Sequence, residues 1–168
     1  SPGIFYLYDD YYDRYVKYTY ESNSFVNSTN SSVITDLTTH EGYMYSTRGD
    51  GYIYKYDSNM TLIQSAHLSG AYLQNLFSYN GYLYAVGYTS MLLSNQFMNS
   101  DGSDDLIVIK LNPDMSVNDS KTYGGTSNDI YIDSYYSDGF LSVLLNSGAN
   151  DDGLEVGVSL SMIDLETF

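Results

Sequence analysis

The chain has 168 residues, 43% of them apolar, and a formal charge of -15, which suits one domain of ordinary size with a sizeable core. Its six basic residues cannot form a phosphate-neutralising patch, so a nucleic-acid partner is excluded. The 16% aromatic content argues against disorder, and four Ala with four Glu leave few strong helix formers.

The chain starts Ser-Pro-Gly, without an initiator Met or a charged-then-apolar leader, so any signal peptide has been removed or lies outside the segment. The first element expected is a strand over Phe5 to Tyr8. A second, Tyr15-Val16-Lys17-Tyr18, runs on to Ser24-Phe25. The Asn-x-Ser/Thr acceptors Asn27 and Asn30 follow, and Asn59 and Asn118 complete a set of four. A chain rich in Asn, Ser and Thr forms such triplets by chance, but with the low lysine content they point to an exported glycoprotein. With no cysteine, neither disulfides nor thiolate chemistry is available.

From residue 39 the chain repeats itself. Glu41-Gly42-Tyr43-Met44-Tyr45, Asn80-Gly81-Tyr82-Leu83-Tyr84 and Asp138-Gly139-Phe140-Leu141-Ser142 each pair a turn dipeptide with an alternating apolar run, as the second strand of a hairpin does. A later phrase, Tyr52 to Leu62, matches Ile107 to Val117: a strand, one lysine, a polar turn, then another strand. Ser69-Gly70 stands opposite Gly124-Gly125, each before an apolar strand that leads back to the first phrase. The unit therefore has four strands: inner, second, third and outer.

Gly42 to Gly81 spans 39 residues and Gly81 to Gly139 spans 58, the excess being an insertion over 89–105. Units run approximately 1–38, 39–77, 78–135 and 136–168. Four-stranded units at about 40 residues predict an all-β fold, a β-propeller of antiparallel blades, with a sandwich or β-solenoid as the alternatives. The uncharged stretch from Leu68 to Ser100 is broken too often by polar residues to be a membrane span. Both faces of Tyr82 to Tyr88 are apolar or aromatic, as in a sheet held between neighbours.

The run Asp104-Asp105-Leu106-Ile107-Val108-Ile109-Lys110-Leu111-Asn112-Pro113-Asp114, then Tyr123-Gly124-Gly125-Thr126-Ser127-Asn128-Asp129 and Asp138-Gly139-Phe140-Leu141, resembles the β-propeller repeat of bacterial and archaeal cell-surface proteins. The match covers about one repeat, 80–147, and lacks the outer-strand tryptophan expected of that repeat. It implies a propeller in an exported, often multidomain protein and transfers no catalytic residue. Beginning at a second strand and ending in a third (Gly157 to Leu165), the chain holds fourteen strands, about three and a half blades. It reads as a segment of a larger propeller, with a small four-bladed ring or an open arc closed by another chain as the alternatives.

Second-to-third loops share one rim. They hold Asp9, Asp10, Asp13, Asp50, Asp101, Asp104, Asp105, Asp151 and Asp152, nine of the 17 aspartates. Aspartate is a good turn former, yet such loops also suit Ca²⁺, which takes 6–8 oxygen ligands. Asp101, Asp104, Asp105, Asp151 and Asp152 are the candidate metal ligands. Arg48-Gly49-Asp50 reads as an adhesive tripeptide or as a plain hairpin turn. His40 and His67, the two groups suited to act as a base, fall in different parts of the repeat. No pair of carboxylates is singled out for glycoside hydrolysis or lyase chemistry. The 21 tyrosines are mostly packing, while Tyr11, Tyr12, Tyr135 and Tyr136 are candidates to stack on glycans or on a neighbouring subunit. The reading is a non-catalytic extracellular or cell-surface module whose partners are other subunits, surface components or glycans.

Overall fold

Alternating apolar runs punctuated by two-residue turns produce strands and little else. In this computed structural model the described residues are 4–9, 14–19, 24–27, 34–89, 104–124, 129–147 and 157–168. They form fourteen strands and one 3₁₀ turn, Leu165–Thr167. The first sheet is β1 (Ile4–Asp9), β2 (Arg14–Thr19) and β3 (Ser24–Asn27). The second is β4 (Ile34–His40), β5 (Tyr43–Arg48), β6 (Tyr52–Tyr56) and β7 (Leu62–His67). The third is β8 (Ala71–Tyr79), β9 (Tyr82–Thr89), β10 (Asp105–Leu111) and β11 (Val117–Tyr123). The fourth is β12 (Asp129–Ser137), β13 (Phe140–Ser147) and β14 (Gly157–Asp164).

Every pairing between strands is antiparallel and joins sequence neighbours, which excludes the parallel coils of a solenoid. The chain begins on a second strand and ends on a third, as the repeat predicts. Tyr6 pairs with Lys17 as Tyr45 pairs with Lys55 and Tyr84 with Lys110, so β1 and β2 hold the second and third places of their sheet. A repeat counted from turn to turn spans three strands of one sheet and the first strand of the next.

The turns between inner and second strands have both central residues at positive φ: 50° and 82° at Glu41-Gly42, 50° and 82° at Asn80-Gly81, 52° and 84° at Asp138-Gly139. That is the type I′ hairpin, whose twist matches its strands. A second requirement for glycine falls at Gly87, where a Cβ would lie 1.9 Å from the Tyr72 carbonyl oxygen of β8.

Sheets two, three and four stack face to face. Leu83, Ala85, Ile107 and Ile109 pack with Tyr45 and Ile53 of the second sheet. From the other face of the same strands, Tyr84, Val86, Leu106 and Val108 pack with Leu141, Val143, Leu145 and Ile163 of the fourth. Leaving water contributes roughly 1.5–3 kcal/mol for each such aliphatic side chain. Two four-stranded and two three-stranded antiparallel sheets, of which the second, third and fourth are stacked, make this an all-β propeller arc. Thr89 and Asp105, on either side of the insertion, pair with each other, so the register of the third sheet is intact across it.

Candidate functional surface

Each inner strand carries a β-bulge at one place, skipping Thr35 in β4, Gln74 in β8 and Ile132 in β12. The residue after the bulge is Asp36, Asn75 and Asp133 in turn. Asp36 accepts the Leu37 N–H on Oδ1 at 2.8 Å and, on Oδ2 at 2.8 Å, the N–H of Leu76 in the next sheet. Asn75, its equivalent in β8, donates from Nδ2 to the Ser134 carbonyl of the sheet after that, at 3.4 Å. Asp133, the equivalent in β12, accepts the Ser134 N–H on Oδ1 at 2.8 Å. Asp36, Asn75 and Asp133 went unnoticed in the sequence because the bulges that align them have no residue signature.

A second repeated arrangement concerns lysine. Lys55 Nζ sits 4.2 Å from the Tyr43 ring centroid and Lys110 Nζ 4.4 Å from that of Tyr82. Both are cation–π contacts of the strand-three lysine with the start of strand two. Tyr45 is fully buried and donates its hydroxyl to the Pro113 carbonyl of the next blade at 2.8 Å. Burial pushes the Tyr84 phenol up to about 12. A hydrogen bond to Glu166 pushes Tyr79 up to about 12.

On the acidic rim, Asp105 is buried at the start of β10, where its carboxylate and that of Asp129 border Gly124. Asp104 is half-buried and accepts the Asp129 N–H on its carbonyl oxygen. Asp101, Asp151 and Asp152 lie outside the described residues, as do Asp10 and Asp13. Among the described residues no three acidic or histidine side chains gather as a metal site.

The Arg48-Gly49-Asp50 tripeptide is a turn closed by the Gly51 N–H to the Arg48 carbonyl at 3.0 Å. Its guanidinium and carboxylate pair with each other, and the guanidinium carbon lies 4.5 Å from the Tyr52 ring centroid. The pairing holds the Asp50 carboxyl below its ordinary range. His67 stacks on Tyr52, centroids 4.2 Å apart, and His40 stands 3.9 Å from the Glu41 carboxylate. Register puts the two histidines at opposite ends of one sheet, His40 opposite Tyr43 and His67 opposite Tyr52, so they form no pair.

Of the glycosylation acceptors, Asn59 is exposed in the β6–β7 turn and Asn118 is exposed on β11. Asn27 ends β3, and Asn30 lies outside the described residues. Tyr11 and Tyr12 lie outside them too. Tyr136 corrects an expectation: it is half-buried and stacks on Phe77, centroids 4.8 Å apart and planes 5° apart, so it is a packing residue. Tyr135, one place earlier on the strand and so on the other face, is 72% exposed.

That other face of the fourth sheet is open. Val158, Leu160 and Met162 of β14 are 67%, 69% and 66% exposed, and Ile132 and Phe140 add to the surface. Asp133, Ser134, Tyr135, Ser142, Leu144 and Leu160 line an open depression of about 180 Å³ on it. Patches of clustered apolar side chains mark interaction sites far more often than single exposed ones do.

No protein-family model matches the sequence, and no curated protein does. Solved structures do. The chain is similar to BamB from Moraxella catarrhalis at 14% identity, with 85% of this chain and 39% of that one covered and a TM-score of 0.56. The designed protein Ika8 gives 13% identity, 94% and 57% coverage and a TM-score of 0.44. The N11 neuraminidase-like protein of A/flat-faced bat/Peru/033/2010 gives 10%, 89% and 43%, and 0.48. The chain spans about two-fifths of the BamB chain's length. The likeness to BamB, a propeller, agrees with the stacked four-stranded sheets: the fold of this chain is that of a β-propeller.

Proposed function

We propose that the chain is a non-catalytic interaction module, a propeller segment at the cell surface or outside the cell within a larger, glycosylated assembly. The observation that carries this is the uncovered aliphatic face of β14, where three alternate residues stand two-thirds exposed on a sheet whose other face is packed. Isolated in water, such a face is a liability; covered by a partner, it is an interface core. The rest of the chain supplies a rigid mount, since the third sheet is buried on both faces. The exported setting is supported by four glycosylation acceptors, two of them on exposed side chains, together with the low lysine content.

The test is covalent footprinting of Tyr135 and Met162 in two settings, the purified chain and the surface fraction of its source cells. Both residues are expected to be labelled in the first setting and protected in the second. Equal labelling in the two removes the interaction reading.

A further inference from the structure

We infer that the open face of β12–β14 is the seat of another four-stranded propeller blade, one that presents its inner strand to Asp133 and Tyr135. This rests on the interaction reading above and names the partner.

The first argument is equivalence. Val86 pairs with Val108 across β9 and β10, five residues past the turn glycine Gly81, and Leu144 pairs with Leu160 in the same way five residues past Gly139. The two valines are fully buried because the fourth sheet covers them. Leu160 occupies the place of Val108 and is 69% exposed. The face is therefore the repeat of one that is covered elsewhere in this molecule by the next blade.

The second argument is polar. Asp36 and Asn75 each reach the inner strand of the following blade, at Leu76 and at Ser134. Asp133 already holds the local half of the Asp36 arrangement, its Oδ1 on the next N–H of its own strand. Its other oxygen is thus placed to accept an inner-strand N–H as Asp36 Oδ2 accepts that of Leu76. The third argument is aromatic. Phe77, two residues past Asn75, stacks on Tyr136 of the following blade, and Tyr135 stands two residues past Asp133 with its ring exposed.

All three relations point at an inner strand, which selects the occupant. The β1–β3 sheet registers as second, third and outer strands, and no described strand fills its inner place. Among the described residues, neither that sheet nor its counterpart in a second copy offers an inner strand to meet Asp133 and Tyr135 as Leu76 and Tyr136 meet their partners. A blade like β8–β11 can. At one place the counterface differs: Ser142 stands where Tyr45 and Tyr84 stand in the other sheets, opening the depression and admitting a bulkier side chain from the partner.

The experiment extends the full chain after Phe168 with a copy of residues 62–123. In phase with the repeat, its first strand completes the fourth sheet and the remainder is the β8–β11 blade, which folds in the parent chain. Peroxide oxidation of Met162 and nitration of Tyr135, mapped by mass spectrometry, are compared with and without the extension. Both are expected to fall at least about tenfold, the ratio that ~1.4 kcal/mol of docking free energy sets. Leu160→Asp in the extended chain is expected to restore them while leaving the unextended chain's melting temperature unchanged.

Unchanged labelling in the extended chain overturns the inference, whether or not the added strands fold. Protection that appears instead in the unextended chain at rising concentration, together with a dimer's mass, also overturns it, because the occupant is then a second copy. Protection in the source cells without protection in the extended chain removes the blade and leaves the interaction reading standing.

Discussion

Burial pushes the Asp36 carboxyl above its ordinary value of 3.8, and the N–H groups of Leu76 and Leu37 pull it part of the way back. A carboxyl that binds its proton more tightly in the folded chain contributes stability that is fully present below pH 3.8 and lost as the pH rises through the folded value. Asp36→Asn removes that component. Denaturant unfolding across this range should therefore show the unmodified chain losing stability relative to the variant as the pH is raised; the opposite slope would mean that the two N–H bonds outweigh desolvation. That Asp36 links blades was hidden in the sequence. Asp, Asn and Asp at positions 36, 75 and 133 line up once the bulges are known, and Thr35, Gln74 and Ile132 give no warning of a bulge.

Among elements, the hairpin turns were the most legible, because left-handed backbone restricts their chemistry to a few residues. Asn80-Gly81 and Asp138-Gly139 obey that restriction. Glu41 does not, although its φ of 50° is the same. Glu41→Asn should raise stability by about 1 kcal/mol, the steric penalty of a left-handed L-residue that asparagine largely escapes. Loss of the 3.9 Å contact to His40 offsets little of this, since one partner is exposed. Thermal melts of the two chains decide it, and an unchanged or lower midpoint would place the penalty elsewhere.

The third-to-outer turns were less legible. Their polar residues mark a turn, but Met60 and Met115 inside them are buried at φ of 67° and 64°. Met115 joins the cluster around Tyr45 of the preceding blade. A thioether anchor in left-handed backbone follows from no local propensity; tertiary packing imposes it.

Across the whole molecule, the stack makes two leucines of one sheet unlike each other. Leu141 is fully buried between the third and fourth sheets, and Leu160 is on the open side. In the isolated chain Leu141→Ala should cost about 3 kcal/mol and Leu160→Ala less than about 0.5 kcal/mol. Equal costs in the isolated chain would mean that something already covers β14. The repeat made this architecture legible, since strand count, strand order and the phase at which the chain starts and stops all follow from the repeated phrases. Which face lies open was not legible. Val158, Leu160 and Met162 alternate with Ser159 and Ser161 as a buried strand's residues would.

The few cations of this acidic chain also set how it can be taken apart. Lys55 and Lys110 lie within strands paired on both sides, each ammonium against tyrosine rings, and Lys121 lies within β11. Lys17 and Arg14 lie within β2, and Arg48 ends β5. An enzyme that cuts after basic residues must bind several residues of extended, unpaired backbone, so at the mid-strand lysines it has to wait for a sheet to open. Among trypsin-like proteases the folded arc is consequently a poor substrate, and the bond after Arg48, at the edge of a tight turn, is its most accessible point in the second sheet.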